Sequence, residues 1–258
     1  MDEKAQLPRL VITADDLGYA PGVTRGIVEA AERGVVTGAS LVVNRAESKS
    51  AVVSAKGLEL GLHVNLTRGE PVSELADVRT LVNREGQFAL HSADEFSAAA
   101  TSELRAELAV QLRRFADLTG TPPAHVSVHR RWLELVIWPL LLEVTREQAP
   151  RAFVRARAAA TREAFRAADL RTCDLVLGNV AVRGLEPEWT FDHLMRTLAS
   201  LPSGVVELVC HPGYAHEEEL RGSAYSWQRE AELRLFGAAS LAAVVERFAR
   251  RTTFAELL

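Results

Sequence analysis

The sequence has little of what marks several common protein classes. Only two of its 258 residues are cysteines, Cys173 and Cys210, and their spacing matches neither a disulfide framework nor a cysteine metal site. Aromatic residues make up 6% of the chain, which gives little support to a sugar-binding groove walled by stacked rings. No apolar run approaches the length of a membrane-spanning helix, and residues 1–7 do not resemble a secretory signal. We therefore expect a cytoplasmic protein without a membrane span.

A large excess of one charge is also missing. The 30 basic and 34 acidic residues leave a net charge of −4, whereas a nucleic-acid-binding protein needs a basic surface, so we expect no nucleic-acid partner. The 48% of hydrophobic and 25% of charged residues are typical of a globular protein. Because no linker or internal repeat is detectable, residues 1–258 are expected to form a single domain.

Short apolar segments alternate with amphipathic segments along the whole chain. Strands are predicted at 9–14, 39–43, 58–65, 124–129, 152–155, 173–177 and 204–210. Helices are predicted from Pro21 to Gly34 and at 48–55, 102–118, 134–147, 191–201 and 225–250, and 68–97 is predicted to be a long loop. This alternation is typical of an α/β domain with a parallel sheet. At this length we expect a complete or distorted (β/α) barrel first and a doubly wound open sheet second.

Acidic and imidazole side chains lie at the ends of four predicted strands. Asp15 and Asp16 end the first strand, and His63, His129 and His211 end three others. Because ligands bind at the carboxyl ends of parallel strands, these side chains are expected to share one site. Two imidazoles and one carboxylate can hold a divalent cation that activates water, a second carboxylate can act as a base, and a third imidazole can protonate a leaving group. The pattern predicts metal-assisted hydrolysis of an amide or ester.

One alternative function uses the same donor set, and one segment of the chain has two possible interpretations. Non-haem iron oxygenases also use two histidines and one carboxylate, but their usual antiparallel scaffold does not fit the predicted alternation. The arginine-rich segment 151–171 is either a solvated helix face or the source of one arginine that reaches an anionic or sugar substrate.

Blocks of sequence around these residues occur in a characteristic order. They read LVITADDLG at 10–18, PGVTRGI at 21–27, GVVTGASLVVN at 34–44, GLHVNLT at 61–67, PAHVSVH at 123–129 and VELVCHPG at 206–213. The ordered set resembles the YdjC-like carbohydrate deacetylases, a family that includes chitooligosaccharide deacetylases and a hopanoid-associated branch.

The resemblance implies a distorted (β/α) barrel of the polysaccharide-deacetylase type and a metal-dependent deacetylase acting on an N-acetylated sugar or chitooligosaccharide-like substrate. It implies one divalent metal ion, Mg²⁺ or Zn²⁺, held by Asp16, His63 and His129. Asp15 becomes the general base and His211 the general acid. A homodimer is also implied.

Two further residues are expected to bind the carbohydrate substrate. They are Arg155, in the arginine-rich segment, and Asn65, two residues after His63.

Two departures from the family pattern favour an alternative function. The family usually has an aspartate at the position of Ser127, between His125 and His129, and a histidine-rich continuation where this chain has Arg130 and Arg131. An aspartate on that strand face could orient or balance the metal site, and losses of such partners cost about 10–100-fold in metal affinity or activity. The alternative hypothesis is therefore a degenerate member that binds a sugar or metal without turnover.

Overall fold

The chain folds around one parallel sheet. The structure is a computed structural model that describes residues 7–178, 187–215, 220 and 225–258. Within these residues the strands are β1 (Arg9–Leu17), β2 (Gly38–Leu41), β3 (Glu59–Val64), β4 (His125–Val128), β5 (Phe153–Val154), β6 (Leu175–Leu177), β7 (Val205–Cys210) and β8 (Arg250–Arg251). Their order is β5-β4-β3-β2-β1-β7-β6, with β8 paired to the start of β1, and every pairing between them is parallel.

Helices connect the strands. They are α1 (Pro21–Arg33), α2 (Ser48–Ser54), α3 (Ala93–Ala98), α4 (Thr101–Thr119), α5 (Arg131–Gln148), α6 (Ala159–Ala167), α7 (Phe191–Ala199), α8 (Trp227–Phe236) and α9 (Ser240–Val245). Within the described part of the chain, none of them is both long and apolar enough to cross a bilayer. Residues 1–6, on which the targeting prediction largely depends, lie outside the described residues.

Contacts of one arginine show that the sheet is curled. Arg155, directly after β5, hydrogen-bonds to Asp15 on β1 and to Glu207 on β7. With strands about 4.8 Å apart, a flat sheet would place β5 about 19 Å from β1, far beyond the reach of an arginine side chain. The sheet is therefore an incomplete barrel. The expected distorted (β/α) barrel is confirmed, and the open doubly wound sheet is not adopted.

Successive side chains of a strand point to opposite faces of the sheet, and here the two faces have different environments. Leu10, Ile12 and Ala14 of β1 belong to the main hydrophobic core, which the strands share with the surrounding helices. Val11, between them, belongs instead to a small apolar cluster inside the barrel, near the start of β1. The other buried members of that cluster are Phe153, Cys173, Val205 and Phe254. Further along β1 the inward positions are Thr13 and Asp15, so the interior becomes polar towards the carboxyl ends of the strands.

Most element boundaries agree with the predictions, and the differences have local causes. Helix α4 is capped at Ala100 rather than Ser102, which lies in its first turn, whereas Gly120 ends it with a φ of 75° as expected. Helix α5 begins at Arg131 and accommodates Pro139 in its interior. The predicted helix over 225–250 divides into α8 and α9 at Gly237.

The predicted loop over 68–97 contains more structure than expected. It has a 3-10 turn (Leu75–Asp77), an antiparallel bridge between Val82 and Phe88, and the short helix α3. Ser92 and Glu95 form a capping box at the start of α3, a signal that was present in the sequence.

Gly26 allows α1 to pack on the chain that follows β7. A Cβ on Gly26 would lie 2.5 Å from the Cα of Gly213, which is two residues after His211. We expect Gly26→Ala to lower the free energy of unfolding by about 1–3 kcal/mol, because backbone must move to accommodate the methyl group. Urea unfolding measures the change. Gly38→Ala is the control, since its Cβ would meet atoms no nearer than 3.4 Å. A Gly26→Ala variant as stable as Gly38→Ala would contradict the prediction.

Candidate metal and acid–base site

A bulge in β1 turns two adjacent aspartates towards the same site. Ala14 pairs with Ala39 and Leu17 with Leu41, so three steps along β1 match two along β2. Asp16 lies within this irregularity with a φ of 74°. In a regular strand Asp15 and Asp16 would face opposite sides of the sheet, and the bulge removes that alternation. Both carboxylates are buried.

The three predicted metal ligands come together at this edge of the sheet. Asp16 Oδ1 lies 3.0 Å from His129 Nδ1 and 3.5 Å from His63 Nε2. Their ligand atoms all lie within 4.8 Å of one another. One carboxylate and two imidazoles form a donor set that suits Zn²⁺ and other divalent cations. The residues present therefore fit the expected metal ion.

Arg229 of α8 pairs with the other oxygen of Asp16. Its Nη2 donates to Asp16 Oδ2 at 2.5 Å, while Oδ1 faces the two histidines. Burial would raise the pKa of Asp16, but Arg229 and His129 outweigh it and hold that pKa well below its ordinary value. Asp16 is consequently ionised and presents one oxygen to the metal position.

Arg155 pairs with Asp15 in the same way. Two guanidinium nitrogens donate to the two oxygens of Asp15 at 2.5 and 2.9 Å, and Nε and Nη2 donate to Glu207 Oε1 at 3.0 and 2.7 Å. Burial opposes ionisation of Asp15, yet the Arg155 guanidinium lowers its pKa far below the ordinary value. Arg155, expected to reach substrate, is itself only 3% exposed and is placed between two carboxylates.

Asn65, the other residue expected to bind substrate, is fully buried below the loop that follows β3. Its side-chain nitrogen donates to Asn44 Oδ1 at 2.9 Å and to the Arg68 carbonyl at 2.8 Å. Its Oδ1 accepts from the backbone N–H of Thr67. These contacts hold the loop in place, and the substrate contact stays a prediction.

His211 lies on another side of Asp15. Its Nε2 is 3.9 Å from Asp15 Oδ2, and its Nδ1 is buried with no hydrogen-bond partner among the described residues. Burial lowers the pKa of His211 to about 4, although Asp15 and Asp16 act in the opposite direction. The ring is therefore neutral at neutral pH.

Glu232 of α8 supports the chain at His211. It accepts the backbone N–H of His211 at 2.5 Å and a hydrogen bond from the Tyr225 hydroxyl. Burial raises the pKa of Glu232 to about 7, against the effect of these hydrogen bonds. The Tyr225 ring contacts the His211 ring edge-on, with centroids 5.6 Å apart.

Sequence reasoning gave no role to several residues that contact the site. They are Glu207, Arg229, Glu232 and Tyr225. A charged residue in the otherwise apolar strand β7 could have identified Glu207, because its inward position has the same alternation as the other site residues. The arginine–aspartate pairings join residues 140 and 213 positions apart, and no local pattern indicates them.

Ser127 and the two arginines that follow His129 lie in different surroundings. Ser127 lies beside His63, with 2.7 Å between its Oγ and the histidine Nδ1. Arg131 is exposed in the first turn of α5. Arg130, with a φ of 84°, contributes to a lowered pKa of His129, behind the larger effect of burial.

Comparison with known proteins identifies the family of this chain. The family model described as YdjC-like protein matches residues 9–247. The chain belongs to the YdjC-like family. A carbohydrate deacetylase of Brevibacillus brevis is 34% identical to this YdjC-like chain, over 96% of it and 99% of the relative. A chitooligosaccharide deacetylase of Klebsiella pneumoniae is 32% identical, over 96% and 98%.

A solved structure has the same fold as this YdjC-like chain. The crystal structure of a proposed cellobiose-phosphate cleavage protein from Enterococcus faecalis superimposes with a TM-score of 0.84 at 25% identity. It covers 97% of this chain and 99% of that protein.

His125, one layer below the site, should make the stability of this YdjC-like protein pH-dependent. Its Nε2 contacts Ser40 Oγ at 2.8 Å, and its ring packs on Phe254 with centroids 4.8 Å apart. Burial lowers its pKa from 6.5 to about 4. The folded protein therefore excludes a proton that the unfolded chain binds between these pH values. The corresponding stability, about 3 kcal/mol, is fully present above pH 6.5 and is lost as pH falls through about 4.

Urea unfolding between pH 7 and 4.5 measures this loss. His125→Leu should show a shallower decline of unfolding free energy with falling pH than the wild type. His91→Gln, which removes an exposed imidazole, is the control and should decline like the wild type. Parallel declines for His125→Leu and the wild type would show that His125 does not carry the effect.

Proposed function

We propose that this protein is a metal-dependent hydrolase that removes the acetyl group from an N-acetylated sugar or a chitooligosaccharide-like substrate. The observation that carries the proposal is the convergence of Asp16, His63 and His129 beside the arginine-paired Asp15. Relatives named carbohydrate deacetylase and chitooligosaccharide deacetylase, 34% and 31% identical to this chain, support the substrate class. A small carbohydrate as the substrate, the lack of a nucleic-acid partner, a cytoplasmic location and a homodimer remain predictions that accompany it.

Asp16, His63 and His129 would hold a divalent cation, Mg²⁺ or Zn²⁺. When bound, such a cation polarises an acetyl carbonyl and activates water for attack. Arg229 keeps Asp16 ionised and its Oδ1 turned to the two histidines. The ion pair therefore prepares the carboxylate in the charged form that a metal requires.

Asp15 would act as the general base. Its Oδ2 lies 3.8 Å from His63 Nε2 and 3.9 Å from His211 Nε2, so this oxygen faces the space between the metal position and the acid. Arg155 keeps Asp15 ionised and therefore able to accept a proton. The same guanidinium also binds Glu207, so its charge is shared between two carboxylates.

His211 would act as the general acid towards the departing amine. Its ring is neutral at rest, so it must receive a proton before it can donate one. Asp15 Oδ2 is the nearby oxygen from which the proton taken from water could pass. A protonated imidazole with a pKa of about 4 is a strong donor, which suits the protonation of an amine leaving group.

The first test measures metal binding and acetate release on the same protein. Zn²⁺- or Mg²⁺-loaded protein should release acetate from at least one member of a panel of N-acetylated sugars, and a chelator should stop it. His129→Ala should lose both the bound metal and the activity, measured by elemental analysis and an acetate assay. His91→Ala, at an exposed position, is the control. Metal-loaded protein that releases acetate from no acetylated sugar would instead support the degenerate, non-hydrolytic function.

The second test separates the base from the metal ligands. Asp15→Asn should retain the metal and lower kcat by about 10²- to 10⁴-fold, because the amide cannot accept the proton. Metal content and kcat are measured on the same preparation. Asp174→Asn, which changes a half-exposed carboxylate on the surface, is the matched control. Full activity of Asp15→Asn would refute its role as base, and loss of metal would place it among the ligands.

A further inference from the structure

Ser127 lies against one of the two ring nitrogens of His63. The strands β3 and β4 pair so that His63 and Ser127 are direct partners in the register. Ser127 Oγ lies 2.7 Å from His63 Nδ1, and both residues are buried. The backbone register therefore holds the hydroxyl against that nitrogen.

The serine hydroxyl has an acceptor of its own. It donates to the carbonyl oxygen of Leu62 at 3.3 Å, which leaves its lone pairs for a donor on the other side. A hydroxyl that gives its proton to a carbonyl can accept from the imidazole, an arrangement that favours a proton on His63 Nδ1. The other nitrogen, Nε2, then has a free lone pair. It lies 3.5 Å from Asp16 Oδ1, at the metal position.

We propose that Ser127 is a positioning residue that sets the tautomer of His63, with Nδ1 protonated and Nε2 free to bind the metal ion. This inference rests on the proposed function for the presence of a metal, but the tautomer is a property of the metal-free chain. The Leu62 carbonyl, Ser127 hydroxyl and His63 ring form one hydrogen-bonded chain.

The absence of charge at position 127 agrees with the surrounding ion pairs. Asp15 and Glu207 share Arg155, and Asp16 pairs with Arg229. These buried carboxylates have arginine partners, which burial of a charge requires. A hydroxyl orients His63 without adding another buried carboxylate to this set. A serine at position 127 is therefore compatible with an intact set of metal ligands.

The tautomer can be measured directly in the wild type. Nitrogen-15 NMR of metal-free protein should show His63 protonated at Nδ1 and unprotonated at Nε2, whereas Ser127→Ala should shift the ring towards the Nε2-protonated form. A wild-type His63 protonated at Nε2 would overturn the proposal without any variant or activity measurement.

Zn²⁺ affinity, measured by competition with a chelating dye, gives the second readout. Ser127→Ala should weaken Zn²⁺ binding about 10- to 100-fold, the usual effect of removing a partner that orients a ligand. Ser127→Thr retains a hydroxyl and should recover affinity. Ser40→Ala is the matched control, because it removes a buried serine bonded to His125 rather than to a predicted metal ligand. It should bind Zn²⁺ like the wild type.

The outcomes distinguish this inference from the proposed function. Unchanged affinity in Ser127→Ala, or an equal loss in Ser40→Ala, would refute the positioning role even if the enzyme releases acetate. The expected tautomer and Zn²⁺ affinities in a protein that releases no acetate would refute the deacetylase and leave the role of Ser127 intact.

Discussion

The Arg155 guanidinium, buried between Asp15 and Glu207, is the interaction on which the arrangement of this molecule depends. It joins the end of β5 to β1 and β7 across the interior, so it both requires the curled sheet and stabilises it. Removing one member of such a buried group leaves an unpaired charge, which typically costs about 3–5 kcal/mol. The same cation keeps Asp15 ionised. The curl of the sheet and the ionisation of Asp15 therefore both depend on the Arg155 side chain.

The interior of the barrel changes from apolar to charged along the strands. The cluster containing Val11 and Phe254 fills the lower part, and His125 packs directly on Phe254. Above it lie the ion pairs, and beyond them the edge of the sheet at which Asp16, His63 and His129 meet. The apolar layer excludes water below the charged groups, which strengthens their mutual interactions. Asp15, Asp16 and His63 are thus held on strands, and His129 and His211 lie one residue beyond strand ends.

Much of this organisation follows from local pattern. Apolar runs and helical spacing predicted the strands and helices, and polar residues at strand ends predicted which side chains would meet, because parallel strands end at one edge. The predicted boundaries of helices were wrong where tertiary contacts override local sequence signals. Helix α5 continues through Pro139, and Ser102 lies inside α4 although its residue type favours a cap. Positions at strand ends were enough to predict metal-assisted hydrolysis, whereas the choice of Asp16, His63 and His129 as ligands came from the family resemblance.

The sequence by itself determined the alternation of strands and helices, the family, and the set of acidic and imidazole residues at the sheet edge. Only the tertiary structure decided that Arg155 and Arg229 pair with the two aspartates, that a bulge turns Asp15 and Asp16 to one site, and that Ser127 contacts His63. The physical reason is that periodicity and strand ends are local properties of the chain. The partners of buried charges lie on segments that are far apart in sequence, and the curl of the sheet brings those segments into contact.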